Sequence, residues 1–151
     1  MSDDYTDILN QSWDNIPLVQ VLPVGSWLLR LRTAVYQPSK QADGDPIVMF
    51  VYSVKEPMED VDVEELAKLG DNYDYGANRI FWRKYINDNA SWDEVRKHLG
   101  KHGVEVKGSI KESFDAAKGS EVIAYLNQRS YTTNAGEGEV SNEPSQFAKV
   151  E

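Results

Sequence analysis

One stretch of the sequence alternates cationic and aromatic side chains. Arg79, Phe81, Arg83 and Tyr85 occupy every second position of residues 79–86, and alternate side chains of a β-strand lie on one face. Guanidinium groups contact phosphates and aromatic rings stack on bases, which are the two contacts that an unpaired nucleic-acid strand offers. We therefore predict that these four residues form a site for single-stranded nucleic acid.

The same stretch also has a purely structural interpretation. If Phe81 and Tyr85 are core residues, then Trp82 and Lys84 face solvent instead. The direction in which the two rings point therefore decides between a binding surface and a buried strand face.

A second predicted strand extends this site. From Gly25 onward the residues alternate with period two, and Trp27, Leu29 and Leu31 form its apolar face. The opposite face contains Leu28, Arg30, Arg32, Ala34 and Tyr36. We add Arg30, Arg32 and Tyr36 to the candidate site, together with Arg129, which follows the fourth predicted strand.

Other chemistries find little support in the sequence. His98 and His102 stand at a spacing that can place two imidazoles on one metal, but no third ligand is evident. The acids of residues 60–65 lack the glycine of a calcium loop. There is no cysteine, no nucleophile-elbow serine and no glycine-rich phosphate loop. We expect no metal, no cofactor and no enzymatic activity.

The elements that position these residues are mostly strands. After residues 25–36, the sequence predicts strands at 47–54, 79–86 and 121–128. Residues 132–144 are predicted as a polar loop, and Val140 and Phe147 are the apolar marks of a last strand. This pattern predicts a mainly β chain with inserted helices, folded as a small OB-like barrel of about five strands.

A pair of helices is expected between the third and fourth strands. Ser91 and Ser109 each precede a glutamate by three residues, which is typical of a helix N-terminus. We expect Val95 and Leu99 on the buried side of the first helix. The buried side of the second should consist of Ile110, Phe114 and Ala117.

The charge distribution is uneven. The 151 residues have a net charge of −9, which opposes nonspecific binding to polyanions. Residues 56–74 contain eight acids and one lysine, whereas residues 79–118 contain nine bases and six acids. We predict an acidic N-terminal arm at residues 1–16 and a single domain at residues 17–150, with an acidic insert at 56–74.

A series of short motifs resembles a known family. They are Leu22-Pro23-Val24-Gly25-Ser26-Trp27 followed by Arg32-Thr33-Ala34, then Gly76-Ala77-Asn78-Arg79-Ile80-Phe81-Trp82-Arg83, Leu99-Gly100-Lys101-His102-Gly103, Phe114-Asp115-Ala116-Ala117-Lys118-Gly119-Ser120-Glu121-Val122 and Asn142-Glu143-Pro144-Ser145-Gln146-Phe147. In this order, over residues 22–148, they are similar to a phage-encoded family of single-stranded-DNA-binding-like proteins, long catalogued as a domain of unknown function. The acidic insert departs from the family pattern.

The resemblance implies a non-catalytic protein of phage DNA replication or recombination. Single-stranded DNA would be its partner, replication or recombination proteins could contact its acidic segments, and it would act in the cytoplasm of an infected bacterial host, away from membranes. The acidic residues also support an alternative, a protein-interaction module such as a virion component, a host-takeover factor or a DNA mimic.

Overall fold

Five antiparallel strands dominate the fold. The computed structural model describes residues 9–10, 12, 19–39, 44–132, 136 and 138–150. The strands form one sheet in the order β3-β2-β1-β4-β5. They are β1 (Gly25–Gln37), β2 (Ile47–Pro57), β3 (Arg79–Tyr85), β4 (Glu121–Thr132) and β5 (Gly138–Lys149).

The sheet curls into a barrel that stays open on one side. Strands β3 and β5 lie at opposite ends of the sheet order, yet they contact each other. Two helices, α2 (Asn89–Lys101) and α3 (Ile110–Ala117), lie between β3 and β4 in the chain. A partly open barrel of five strands with this arrangement is OB-like, which confirms the predicted fold class.

The interior of the barrel is apolar and aromatic. Alternate residues over much of β1, β2, β3 and β4 point inward, as period-two patterning predicts, and burying each large apolar side chain stabilises the fold by about 1.5–3 kcal/mol. The largest side chains that are fully buried are Trp27, Tyr52, Phe50, Leu22, Leu29, Leu31, Ile80 and Leu126. The predicted apolar face of β1 is therefore confirmed.

A β-bulge changes which face the end of β1 presents. The pairing with β2 shifts between Leu31 and Thr33, so that Arg32 is an extra residue without a partner on β2. After the bulge, Ala34 and Tyr36 pair with Phe50 and Val48, whose side chains point into the barrel. The prediction that Ala34 and Tyr36 share the face of Arg30 was wrong, because one additional residue exchanges the two faces.

The helix pair forms where the sequence predicts it, with two differences. Asp88 rather than Ser91 caps α2, since its carboxylate accepts the Ser91 N–H, whereas Ser109 caps α3 as expected. Ile110 is 51% exposed, so its predicted burial was wrong. Val95 and Leu99 of α2 are buried, as are Phe114 and Ala117 of α3.

The acidic residues 56–74 are folded onto the barrel. They contain a short helix, α1 (Val63–Ala67), and a 3-10 turn at Tyr75–Ala77 follows them. Three of their acids have structural roles, because Asp60 accepts two hydrogen bonds from Ser26, Asp62 caps α1 and Asp74 caps the 3-10 turn. The Ser26 bonds lower the pKa of Asp60.

The last strand is longer than the sequence indicates. Residues 138–144, predicted as part of a polar loop, belong to β5 and pair with the end of β4. Their mostly polar composition gives no apolar alternation, so the strand escapes pattern reading. The predicted arm at residues 1–16 lies outside the described residues except at 9–10 and 12. In the part of the chain that the structure describes, no helix is long and apolar enough to cross a membrane.

Candidate nucleic-acid interface

Strand β3 directs Arg79, Phe81, Arg83 and Tyr85 away from the barrel interior. Ile80 is buried on the inner side, while Arg79, Arg83 and Tyr85 are exposed and Phe81 is half-buried. Tyr85 is 63% exposed. The structure therefore has the orientation that a binding surface requires.

The outer face of β1, β2 and β3 forms a continuous surface around these residues. Strand register places Arg30 and Arg79 on either side of Ser53. Val51 lies between Thr33 and Phe81 in the next row, and Met49 lies between Val35 and Arg83 in the row after it. Residues directly opposite each other in neighbouring strands share one face of the sheet. We call this surface the outer face; it presents apolar and aromatic groups between arginines.

A groove runs beside this face, along the open side of the barrel between β3 and β5. We call it the seam groove; its volume is about 770 Å³. It brings Arg79, Phe81 and Arg83 of β3 together with Arg129 of β4, so that four of the eight predicted site residues line one cavity. The full lining is Val19, Gln20, Val21, Asn78, Arg79, Phe81, Trp82, Arg83, Arg129, Val140, Ser141, Asn142, Glu143 and Pro144.

The β3 arginines are held in place without carboxylate partners. The guanidinium of Arg83 lies over the ring of Phe81, 4.6 Å from its centroid, a cation–π contact that leaves its N–H groups directed to solvent. Arg79 donates to the backbone carbonyls of Gly76 and Asn78. Neither forms an ion pair with any acid that the structure describes, so both retain their positive charge for an anionic ligand.

Arg129 stands on the opposite wall of the seam groove. Its Nη1 lies 3.6 Å from Oε1 of Glu143 on β5, and both side chains are more than half exposed. An exposed ion pair of this kind contributes little to stability. Arg129 is therefore available to exchange its carboxylate partner for a phosphate.

The remaining predicted residues lie elsewhere. Arg30 is on the outer face, where its Nη2 is 3.9 Å from Glu121, whose carboxylate also binds Lys55 at 2.9 Å; Lys55 holds the pKa of Glu121 below its usual range, with a smaller effect of Arg30. Arg32 is exposed at the bulge. Tyr36 contacts Trp92 of α2, with ring centroids 5.6 Å apart, and so does not join the outer face.

A chain of buried polar groups lies directly beneath the site. The hydroxyl of Tyr52 is 2.6 Å from Nε2 of His98 and 2.8 Å from Nε2 of His102. His102 Nδ1 is 2.7 Å from Oγ of Ser120, and that hydroxyl donates to the carbonyl of Ala117. Among the described residues, no group of three His, Asp or Glu side chains could hold a metal ion.

These contacts fix the protonation of both histidines. The Ser120 hydroxyl donates its proton to the Ala117 carbonyl, so its oxygen can only accept from the Nδ1–H of His102. The Nε2 of His102 then carries no proton and accepts a hydrogen bond from the Tyr52 hydroxyl. The Tyr52 oxygen in turn accepts from Nε2–H of His98. Burial lowers the pKa of His98 to about 3, with a smaller effect of His102, and lowers that of His102 to about 4. Burial also raises the pKa of Tyr52. The whole chain is neutral, and its role is to satisfy buried polar groups.

Sequence reasoning missed the apolar part of the outer face. Met49 and Val51 of β2 lie half-buried between the arginine-bearing strands. The sequence does indicate this surface, because nearly every residue of 47–54 is apolar. A strand with two apolar faces leaves one of them outside the core. Glu143 was missed as well, because its approach to Arg129 depends on the register of β4 and β5.

Comparison with known proteins gives no further assignment. No family model matches this chain, and no curated protein matches its sequence.

Proposed function

We propose that this chain binds single-stranded DNA without catalysing a reaction. The observation that carries the proposal is the placement of Arg79, Phe81 and Arg83 on the open side of an OB-like barrel, beside a groove whose far wall holds Arg129. The outer face and loops of OB-type barrels are suited to oligonucleotides. A single strand is favoured over a duplex because exposed rings stack only on unpaired bases.

The mechanism divides between stacking and charge. Tyr85 offers its exposed ring to one base, and Phe81 offers its ring to another once the guanidinium of Arg83 turns from that ring to a phosphate; each stacked base contributes about 1–3 kcal/mol. Arg79, Arg83 and Arg129 contact phosphates on the two sides of the seam groove, and Arg30 extends the positive charge across β1. Met49 and Val51 supply apolar area against which sugars and bases can pack.

The net charge of −9 is offset at the site, because Arg79 and Arg83 form no ion pair with a described acid, and the acids next to the site, Glu121 and Glu143, are each paired with a cation. Three acids of residues 56–74 are used in caps and turn contacts. The acidity of these three residues thus has a structural explanation that needs no basic protein partner. This observation favours nucleic-acid binding over the acidic interaction module.

The biological setting rests on the family resemblance alone. The order of motifs over residues 22–148 supports a phage replication or recombination protein. Such a protein would protect unpaired DNA and act in the infected bacterial cell.

The direct test is a fluorescence-anisotropy titration with labelled oligo-dT at low salt. The unmodified chain should bind, and Arg79→Ala combined with Arg83→Ala should weaken binding at least about tenfold. The slope of log affinity against log salt should also shrink by about 0.7 for each lost phosphate contact.

A matched control separates the site from overall charge. Arg96→Ala combined with Lys97→Ala removes the same two charges from the exposed side of α2, where both residues pair with Asp93. This variant should retain affinity. Absence of binding at low salt, or an equal loss in both double variants, would overturn the proposal.

A further inference from the structure

Glu143 brings a carboxylate into a groove whose other lining residues are cationic, apolar or neutral polar. It lies on the β5 wall beside Arg129. The 3.6 Å separation from Arg129 Nη1 is an ion pair, but it is too long for a strong hydrogen bond. No hydrogen bond to this carboxylate comes from any residue that the structure describes, so its oxygens can accept bonds from a ligand.

Two asparagine side chains of the same groove are already occupied. Asn78 donates to the carbonyl of Gln20 and accepts from the Tyr73 hydroxyl. Asn142 accepts from the N–H of Leu22 and donates to its carbonyl. The side-chain amides of Asn78 and Asn142 thus tie residues 20–22 to the barrel. Glu143 is therefore a charged acceptor that this groove offers to a bound strand.

A carboxylate in a DNA-binding groove must face a base, since it repels phosphates. On the base-pairing edge of guanine, the N1–H and N2–H groups are adjacent donors that match the two oxygens of a carboxylate. On the same edge, thymine presents one N3–H between two carbonyl oxygens. A carboxylate repels both of these oxygens. Unpaired bases are read on this edge in single-strand recognition.

We propose that Glu143 is a specificity-determining residue that makes the seam groove prefer guanine over thymine. This inference rests on the proposed function and names the base that the site selects. When Arg129 exchanges this carboxylate for a phosphate, both oxygens of Glu143 are free to face a base, while the stacking surface of Phe81 lies across the groove. A guanine between them would stack on one wall and hydrogen-bond to the other.

The test compares three labelled strands of equal length: oligo-dT, the same strand with one central deoxyguanosine, and the same strand with deoxyinosine at that position. Deoxyinosine lacks the N2 amino group and keeps N1–H. We expect the deoxyguanosine strand to bind at least about fivefold tighter than oligo-dT, which corresponds to about 1 kcal/mol. The deoxyinosine strand should lie between the two.

Glu143→Gln provides the decisive variant because it keeps the shape and replaces one acceptor by a donor. The ratio of deoxyguanosine to oligo-dT affinity should fall toward one, while affinity for oligo-dT stays equal or rises. Glu59→Gln makes the same charge change at an exposed position of residues 56–74 and should leave the ratio unchanged. If Glu143 had only a structural role, Glu143→Gln would lower the affinities for oligo-dT and for the deoxyguanosine strand together.

The outcomes separate this inference from the proposed function. If none of the strands binds, the proposed function fails. If all bind equally, or if a guanine preference survives in Glu143→Gln, the function stands and the role of Glu143 is overturned.

Discussion

The imidazole of His98 lies parallel to the indole of Trp82, with ring centroids 3.9 Å apart and an angle of 2° between the planes. Trp82 also lines the seam groove, and His98 begins the hydrogen-bond chain through Tyr52. The wall of the candidate site therefore rests on a neutral polar chain in the core. Perturbing that chain should affect stability first and the shape of the groove second.

Removing the Tyr52 hydroxyl should destabilise the fold strongly. In Tyr52→Phe, the donor of His98 and the acceptor of His102 both lose their partner inside the core, and each unsatisfied buried group costs about 1–3 kcal/mol. We expect a loss of about 2–4 kcal/mol in the free energy of unfolding measured with urea.

The matched control is Tyr125→Phe. The Tyr125 hydroxyl makes no hydrogen bond with a described residue, and we expect its removal to change the free energy of unfolding by less than about 0.5 kcal/mol. Similar losses in the two variants would contradict the hydrogen-bond chain.

Acid should weaken the fold as the pH falls below the ordinary pKa of histidine. In the folded state the pKa values of His98 and His102 are about 3 and about 4, below the ordinary value of 6.5. Between pH 6.5 and 4 the unfolded chain binds protons that the folded chain does not, so stability falls as the pH falls through this window. Stability lost by pH 4 should reach about 3 kcal/mol or more, measured by urea unfolding at a series of pH values.

Two measurements check this origin. His98→Gln combined with His102→Gln should be less stable at neutral pH, with a flatter pH dependence between 6.5 and 4. If that variant does not fold, NMR of the unmodified chain at pH 5 should still show two neutral imidazoles. A protonated imidazole at pH 5 would contradict the prediction.

Gly25→Ala should disrupt the contact between β1 and the acidic residues 56–74. A Cβ at Gly25 would lie 2.6 Å from Cγ2 and 3.1 Å from Cα of Val61, and the backbone φ of +148° is unfavourable for alanine. We expect thermal unfolding to show a destabilisation of about 1–3 kcal/mol.

Gly70→Ala isolates the backbone part of this effect. Gly70 has a φ of +91°, and no atom of the described residues lies within 4 Å of an added Cβ, so its substitution should cost only the conformational strain, about 1 kcal/mol. Gly25→Ala should be the more destabilising of the two. If Gly70→Ala were the more destabilising, the side chain of Val61 would be able to move away from the added Cβ at little cost in free energy.

Phe81 and Tyr36 should differ in their effect on DNA binding. Phe81→Leu removes a ring from the outer face and should weaken binding to oligo-dT about fivefold or more, given the contribution of one stacked base. Tyr36→Leu removes a ring that contacts Trp92 on the helix side of β1, so affinity should be retained. The measurement is the anisotropy titration, and equal losses would place the strand elsewhere.

Much of the fold could be predicted because its strands and helices follow local sequence patterns. Alternation in residues 79–86 identifies both faces of β3, and Ser109 with Glu112 marks the start of α3. The arrangement of five strands and two helices then indicates an OB-like barrel. These features depend on neighbours in sequence, which a pattern can show.

What escaped prediction depends on distant parts of the chain. The bulge at Arg32 is defined by pairing with β2, and it moves Tyr36 to the other face. Asp88 and Ser91 are both good capping residues, and the path leaving β3 decides between them. Glu143 approaches Arg129 only through the register of β4 and β5. For these features the residues can be read from the sequence, but the distances between their side chains depend on how remote segments pair and pack.

The open side of the barrel has a consequence for self-association. Strands β3 and β5 contact each other but are not paired in the sheet, so each leaves an edge with unpaired backbone groups. Such edges can pair with another molecule and begin aggregation. Arg79, Arg83 and Arg129 surround this gap, and their mutual repulsion would disfavour a second copy approaching edge to edge. The same cations that we assign to DNA would thereby keep the free protein from polymerising.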